Sequence, residues 1–294
     1  MKCSAKRTGW GMPAALGLWL VATAAGAEGE REGEAKAQTS GVVSPVQATA
    51  HPLGLSTVGP VMLGGSDAAS ATFQKTVLPS ISQLLNARLA ETKSFNDSAA
   101  LLDPTRLNLR TASDVRVYFI GEGAGYRNTL GFSVSADGQI TGNRQLIFPD
   151  ASSSVSTYDP GKTAVRTATA PLLPGDFVTL GTLAAKSTLD FFLISNGANG
   201  GSSVFSTVGA KNPDRINHVV AFALPDSPYL ILGFEDMLGG GDRDFNDVLI
   251  AVDIGARNVA ALTGAPEPAL IVVLGAFLLL AFRHSRSAGE AAPA

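Results

Sequence analysis

The chain has 294 residues, with 22 Lys and Arg against 25 Asp and Glu and a formal net charge of −3. That acidic balance, which deepens once the basic ends are set aside, argues against nucleic acid as a partner, and the length suits one well-cored domain with flanking segments. The single cysteine, Cys3, sits at the extreme N-terminus, so the remaining chain has neither disulfides nor thiolate metal ligands.

Lys2, Lys6 and Arg7 precede an apolar stretch from Met12 to Val21, and Ala25-Gly26-Ala27 offers small residues for cleavage. This is the pattern of a secretory signal peptide over residues 1–27. Residues 28–72 alternate charge with glycine and alanine and then turn rich in Ser, Gly, Pro and Val without a steady period, which predicts a flexible, extended leader. Over 73–112 the pattern changes. Phe73, Val77, Ile81, Leu84, Leu85 and Leu89 recur at helical spacing, with Pro79 at a kink or first turn and Ser80 as an N-cap. This helical segment should pack on the domain that follows.

From 113 to 254 the signals are those of an all-β domain. Short apolar or alternating runs at 115–120, 130–135, 146–148, 177–180, 189–194, 219–224, 229–234 and 248–252 are separated by Asp137-Gly138, Pro160-Gly161, Pro174-Gly175, Asn196-Gly197 and Pro213-Asp214. No segment is long and periodic enough to form helical crossovers, so the strands predict an antiparallel β-sandwich or jelly roll.

The chemistry concentrates between the last two strands. Glu235, Asp236, Asp242, Asp244 and Asp247, with Asn246, surround Gly239-Gly240-Gly241. Carboxylates this close repel one another unless a cation lies between them, and Ca²⁺ takes six to eight oxygens from such groups, carbonyls and water. Asp242-x-Asp244-x-Asn246 opens like an EF-hand loop, but Asp247 replaces the turn glycine and the following residues read as strand, so a glycine turn with acids converging from both flanks is the better picture. Alternation sends Glu235 and Asp236 to opposite faces, so at most one is a side-chain ligand unless the backbone bends. Turn capping by Asp and Asn is the competing explanation, and it does not require five acids. Gly121-Glu122-Gly123-Ala124-Gly125 superficially matches a dinucleotide loop, yet Tyr126 takes the place of the last glycine and a strand follows; the glycines instead let the backbone turn sharply or approach the acidic loop, with Glu122 and Asn128 as further oxygen ligands, the alternative being a solvent-exposed hairpin glutamate at Glu122. His218 is the sole histidine of the domain, which leaves zinc without its usual ligands and marks His218 as structural.

Three stretches, Gly121 to Gly131, Asn212-Pro213-Asp214 with His218, and Gly233 through Val248, together resemble the bacterial family of domain of unknown function 4114, over about Ser113 to Ile254. The resemblance implies an exported or surface-bound protein whose acids serve either metal binding or catalysis.

After a linker at 255–265, the segment 266–294 carries Pro266-Glu267-Pro268, an apolar run from Ala269 to Phe282, and then Arg283, His284 and Arg286. Fourteen helical residues rise about 21 Å, short of the ~30 Å hydrocarbon core, so the span is marginal. The segment resembles the PEP-CTERM sorting signal of Gram-negative bacteria, which implies transient membrane insertion, cutting by an exosortase-type protease, and release to the cell surface or extracellular matrix. An ordinary membrane anchor is the alternative. The expectation is an exported calcium-binding β-sandwich module with extracellular polysaccharide or matrix proteins as partners. Against it stands a calcium-dependent hydrolase of extracellular polysaccharide that pairs Glu122 with Glu235 or Asp244.

Overall fold

A computed structural model describes residues 41–81, 101–136, 139–155, 163–224 and 227–264. The expected signal peptide, the sorting segment with Pro266, Glu267, Pro268 and Arg283, and residues 82–100 of the expected helix lie outside the described residues. Among the described residues no helix is long and apolar enough to cross a membrane.

Two antiparallel sheets stack face to face. In chain order the strands are β1 (Leu101–Leu102), β2 (Ser113–Gly121), β3 (Thr129–Ala136), β4 (Gln139–Ile140), β5 (Gln145–Phe148), β6 (Phe177–Leu183), β7 (Ser187–Ile194), β8 (Val204–Ser206), β9 (Val219–Ala223), β10 (Tyr229–Phe234) and β11 (Val248–Asp253). The six-stranded sheet runs β1-β9-β10-β11-β2-β6, and the five-stranded sheet β4-β3-β7-β8 with β5 also on β3. The core between them is built from alternate residues: Val115, Val117 and Phe119 of β2, Leu189, Phe191 and Leu193 of β7, and Leu230, Leu232 and Phe234 of β10 are all buried. Each such side chain contributes roughly 1.5–3 kcal/mol by leaving water.

The six-stranded sheet is covered on its other face too. Tyr118, Phe177, Tyr229 and Ile231 point away from the sandwich core and meet Phe73 and Ile81, both fully buried. Phe73 stacks on Tyr118 with ring centroids 4.0 Å apart. This is the packing that the helical spacing of Phe73, Val77 and Ile81 predicts, while Leu84, Leu85 and Leu89 lie outside the described residues. The helix itself starts earlier, as α1 (Ala68–Thr72), where Asp67 and Ser70 form a reciprocal capping box. It widens to a π-turn at Phe73–Val77 just before Pro79. Proline has no N–H and crowds the preceding turn, which accounts for the widening. Ser80 is therefore inside the helix, its hydroxyl donating to the Thr76 carbonyl, rather than at the N-cap expected for it.

Three further stretches differ from their reading in sequence. Residues 41–63, within the expected leader, run along the sandwich: Ser44 N–H donates to Val61 O at 2.8 Å, Val58 N–H to Leu146 O at 2.9 Å and Met62 N–H to Phe177 O at 2.8 Å, and Val61 is buried in the core. These isolated bridges satisfy sheet edges without the alternation that marks a strand. Within the expected linker, α2 (Ala256–Thr263) buries Asn258, Val259 and Ala260. Asn258 fixes it by accepting from Thr111 N–H at 2.9 Å and donating to the Ile254 carbonyl at 2.7 Å. Residues 101–112, expected as the end of the helical segment, instead hold β1 and a 3₁₀ turn at Pro104–Arg106.

The helix is locked to the sheet by one buried ion pair. Asp67 caps Ser70 N–H at 2.7 Å and pairs with the Arg116 guanidinium at 2.8 Å, while Arg116 also lies over the Phe177 ring. Asp67→Ala removes both roles and leaves a buried guanidinium unpaired, so we expect a loss of about 3–5 kcal/mol. Asp67→Asn, which keeps the cap acceptor, should cost less. Urea unfolding of the two variants measures the difference, and equal losses would mean that the cap contributes nothing.

Candidate cation site in the β10–β11 loop

β10 and β11 pair through Phe234↔Val248, and everything between has to turn back within that width. The same end of the sandwich holds the close of β2, whose Gly121 faces Leu249, and the Thr129↔Ile194 pair of β3 and β7. Loops 122–128, 195–203 and 235–247 thus meet there. Gly123 N–H donates to the Asn246 carbonyl at 3.0 Å, so the glycine-rich segment does approach the acidic loop as its composition predicts.

The turn is made by Gly239, Gly240 and Gly241, all with positive φ. At Gly241 a Cβ would lie 2.3 Å from Glu235 Oε2, so only glycine lets that carboxylate reach the turn. Arg243 and Phe245 also have positive φ, which few L-residues adopt, and they bend the return limb so that Phe245 N–H meets Glu235 Oε1 at 2.7 Å.

Of the eight expected ligands, the structure brings three together. Glu235, Asp242 and Asp244 each present a carboxylate oxygen, and these oxygens lie within 4.8 Å of one another. Asp247 lines the same cleft, of about 460 Å³, with Glu235, Met237, Leu238, Gly241 and Asp242. Its Oδ2 accepts Asp236 N–H at 2.8 Å. Asp236 points elsewhere, as strand alternation requires: its Oδ2 accepts the Asn128 amide at 2.7 Å. Asn128 is therefore a donor to a carboxylate instead of the oxygen ligand expected, and its own Oδ1 is taken by Asn196 N–H at 2.9 Å. Asn246 is buried, and its amide nitrogen donates to Asp244. Glu122 lies outside the trio, with Oε1 accepting Ser153 N–H at 3.2 Å.

Asp214 and His218 brace this loop, a role that sequence reasoning did not assign. Asp214 Oδ2 accepts Gly239 N–H at 2.8 Å and faces His218 Nε2 at 2.9 Å. His218 Nδ1 lies 3.2 Å from the Glu235 carbonyl, and the ring stacks on Phe205 at 3.9 Å. A fully buried histidine with both nitrogens partnered is structural, as expected for His218. The clue to Asp214 was its place four residues ahead of that histidine, beside the Asn-Pro turn.

Electrostatics separate the brace from the cradle. Although burial opposes it, hydrogen bonds from Gly239 N–H, His218 and Ile216 N–H hold the Asp214 carboxyl down at about 2. Burial, joined by the charges of Asp247, Asp242 and Asp244, pushes Glu235 up to about 7. Burial and the neighbouring Asp236 charge do the same to Asp247, also to about 7, and burial raises Asp236 as well. Glu122 reaches about 7 through burial, with Asp150 and Asp236 adding to it. Glu235 and Asp247, which line the cleft, thus resist ionisation near neutral pH chiefly through burial, and a cation bound beside them would favour their charged forms.

These carboxyls keep their protons to higher pH in the fold than in the unfolded chain. For Glu235, Asp247 and Glu122 the contribution to stability is complete below about pH 4 and is lost as pH rises through about 7. Metal-free protein should therefore melt at lower temperature at pH 8 than at pH 5. Melting curves in EDTA across that range check this, and a melting temperature that rises towards pH 8 would contradict it.

The family model described as Domain of unknown function (DUF4114) matches residues 183–255. The match runs from the end of β6 through β11, taking in Asp214, His218 and the whole acidic loop, and it is shorter than the resemblance over Ser113 to Ile254, leaving out the Gly121 to Gly131 motif. No match was found among the curated proteins or among the solved structures.

Proposed function

We propose that this chain is an exported β-sandwich module that holds a calcium ion at Glu235, Asp242 and Asp244, and that the ion orders a loop recognising extracellular polysaccharide or a matrix protein. The observation that carries the reading is the convergence of three carboxylate oxygens within 4.8 Å on a glycine turn. Oxygen-only donors in an open cleft suit a hard ion that completes its shell with water, whereas zinc would want nitrogen or sulfur and His218 is already committed. Asp247 stands beside the trio as a further oxygen. Loops at one end of a β-sandwich are where such folds recognise ligands. The export signal and the Pro266-Glu267-Pro268 segment support delivery across the inner membrane of a Gram-negative bacterium to the cell surface, with exosortase-type processing of a membrane-anchored precursor.

An ion that binds only the fold stabilises it by RT ln(1 + [L]/Kd), about 2.7 kcal/mol at a hundredfold excess, or roughly 5–10 °C for a domain of this size. Melts of metal-free protein with and without millimolar Ca²⁺ should differ by that amount. Asp242→Asn and Asp244→Asn should abolish the difference while Asp114→Asn, at the far end of β2, retains it. Identical melts for the unaltered protein would remove calcium from the account.

A hydrolase of extracellular polysaccharide is the second reading, favoured by Glu122 and Glu235 both being held near 7, where a carboxyl can act as a general acid. It predicts that Glu122→Gln abolishes release of reducing sugar from the polysaccharide and leaves the calcium melt shift intact. Unaltered release by that variant would discard it.

A further inference from the structure

The outer face of the five-stranded sheet carries a cation that forms no ion pair among the described residues. Arg144, just ahead of β5, is half-buried, and its guanidinium lies 3.8 Å over the centre of the Phe192 ring. Phe192 in turn lies flat across Gly131, its cross-strand partner on β3: a Cβ there would fall 2.3 Å from the ring. The glycine admits the ring, and the ring carries the guanidinium, holding its fork in one orientation.

No hydrogen bond or ion pair occupies that fork among the described residues. Burial pushes the Arg144 guanidinium below its ordinary value, and only the charge of Asp190 works against this. Arg144 opens into a cleft of about 230 Å³, lined with Ser133, Ile140, Asp190, Val204 and Lys211. Asp190, which lines the cleft, uses one oxygen to accept the Thr207 hydroxyl. Two cations against one carboxylate give the cleft a positive balance on a chain that is acidic overall.

We infer that this cleft binds an acidic saccharide, with the carboxylate of a uronate ring seated on the Arg144 fork. A guanidinium presents two parallel N–H groups to a carboxylate, and a partly desolvated one gains most from such a pair. The second cation, Lys211, widens the anionic preference. Asp190 and the Ser133 hydroxyl suit ring hydroxyls, and Ile140 and Val204 suit the apolar face of a sugar. A volume below the ~300 Å³ of drug-sized pockets matches one ring of a chain that continues along the surface. The inference rests on the reading of the protein as a polysaccharide binder and is independent of calcium.

The test is calorimetric titration of the full chain, in EDTA, with an oligoglucuronate and with the same oligosaccharide after reduction of its carboxylates to alcohols. The charged oligosaccharide should bind, and the reduced one should bind at least tenfold more weakly. Arg144→Lys keeps the charge but loses the fork, and should cost about tenfold in affinity for the charged form only. Lys211→Met, at an exposed position, should weaken the same form less and preserve the fold. Equal affinity for both oligosaccharides, equal affinity of Arg144→Lys and the unaltered chain, or absence of binding to either probe would each overturn the inference. The calcium melts stand whichever result is obtained, because EDTA removes the ion from this experiment.

Discussion

Carboxyl groups crowd into the β10–β11 connection because the Phe234↔Val248 pair fixes both ends of the loop a strand's width apart. Three of those acids then spend an oxygen on the loop's own backbone or on its neighbours: Glu235 on Phe245 N–H, Asp247 on Asp236 N–H, and Asp236 on the Asn128 amide. Turn capping is thus a real part of their work, as for Asp and Asn in most loops. It does not use Asp242, which is exposed, and it does not offset the burial and, after it, the neighbouring negative charges that push Glu235 and Asp247 up to about 7. The acidic loop is organised by its acids and electrostatically unfinished by them. One divalent ion would resolve both features.

The rest of the sandwich keeps this loop in place. Asn128 joins the acidic loop to the 195–203 loop, and Gly123 N–H joins it to the end of β2, so both sheets contribute to its walls. Asp214 supplies a third strut from the opposite side, and its low-lying carboxyl stays ionised across the range in which its neighbours do not. Farther off, the six-stranded sheet is buried on both faces, by the partner sheet and by the Phe73–Ile81 helix locked through Asp67 and Arg116. Among the described residues the five-stranded sheet is covered less: Leu55 packs on Leu146 and Phe192, and beyond them Arg144 faces a cleft.

Much of this was legible because two periods differ so clearly. Alternation around turn dipeptides marked β2, β3, β7, β10 and β11, and Tyr229–Phe234 matches its expected bounds. The three- and four-residue spacing from Phe73 marked a helix that buries one stripe. The acidic loop stands out by composition, and strand alternation alone separates Glu235 from Asp236. What escaped were features whose cause lies in another part of the chain. Val61 and Met62 pair with distant edges through single bridges, with no local pattern. The α2 helix depends on Asn258 reaching Thr111, a contact that spans most of the domain. Asn128 was read as an oxygen ligand because an amide offers both an oxygen and a nitrogen, and only the position of Asp236 decides between them. The Arg144 platform needs Gly131 and Phe192 to be opposite each other, which register alone reveals.

The central claim is that a cation completes the acidic loop by replacing protons that its carboxyls otherwise hold. Calorimetric titration of metal-free protein with Ca²⁺ at pH 6.5, in two buffers of different ionisation heat, tests both halves at once. The account predicts saturable binding of one ion per chain, with a heat that differs between the buffers because protons are released, and its loss in Asp242→Asn. No saturable heat, or binding whose heat is the same in both buffers and unaffected by Asp242→Asn, would contradict it.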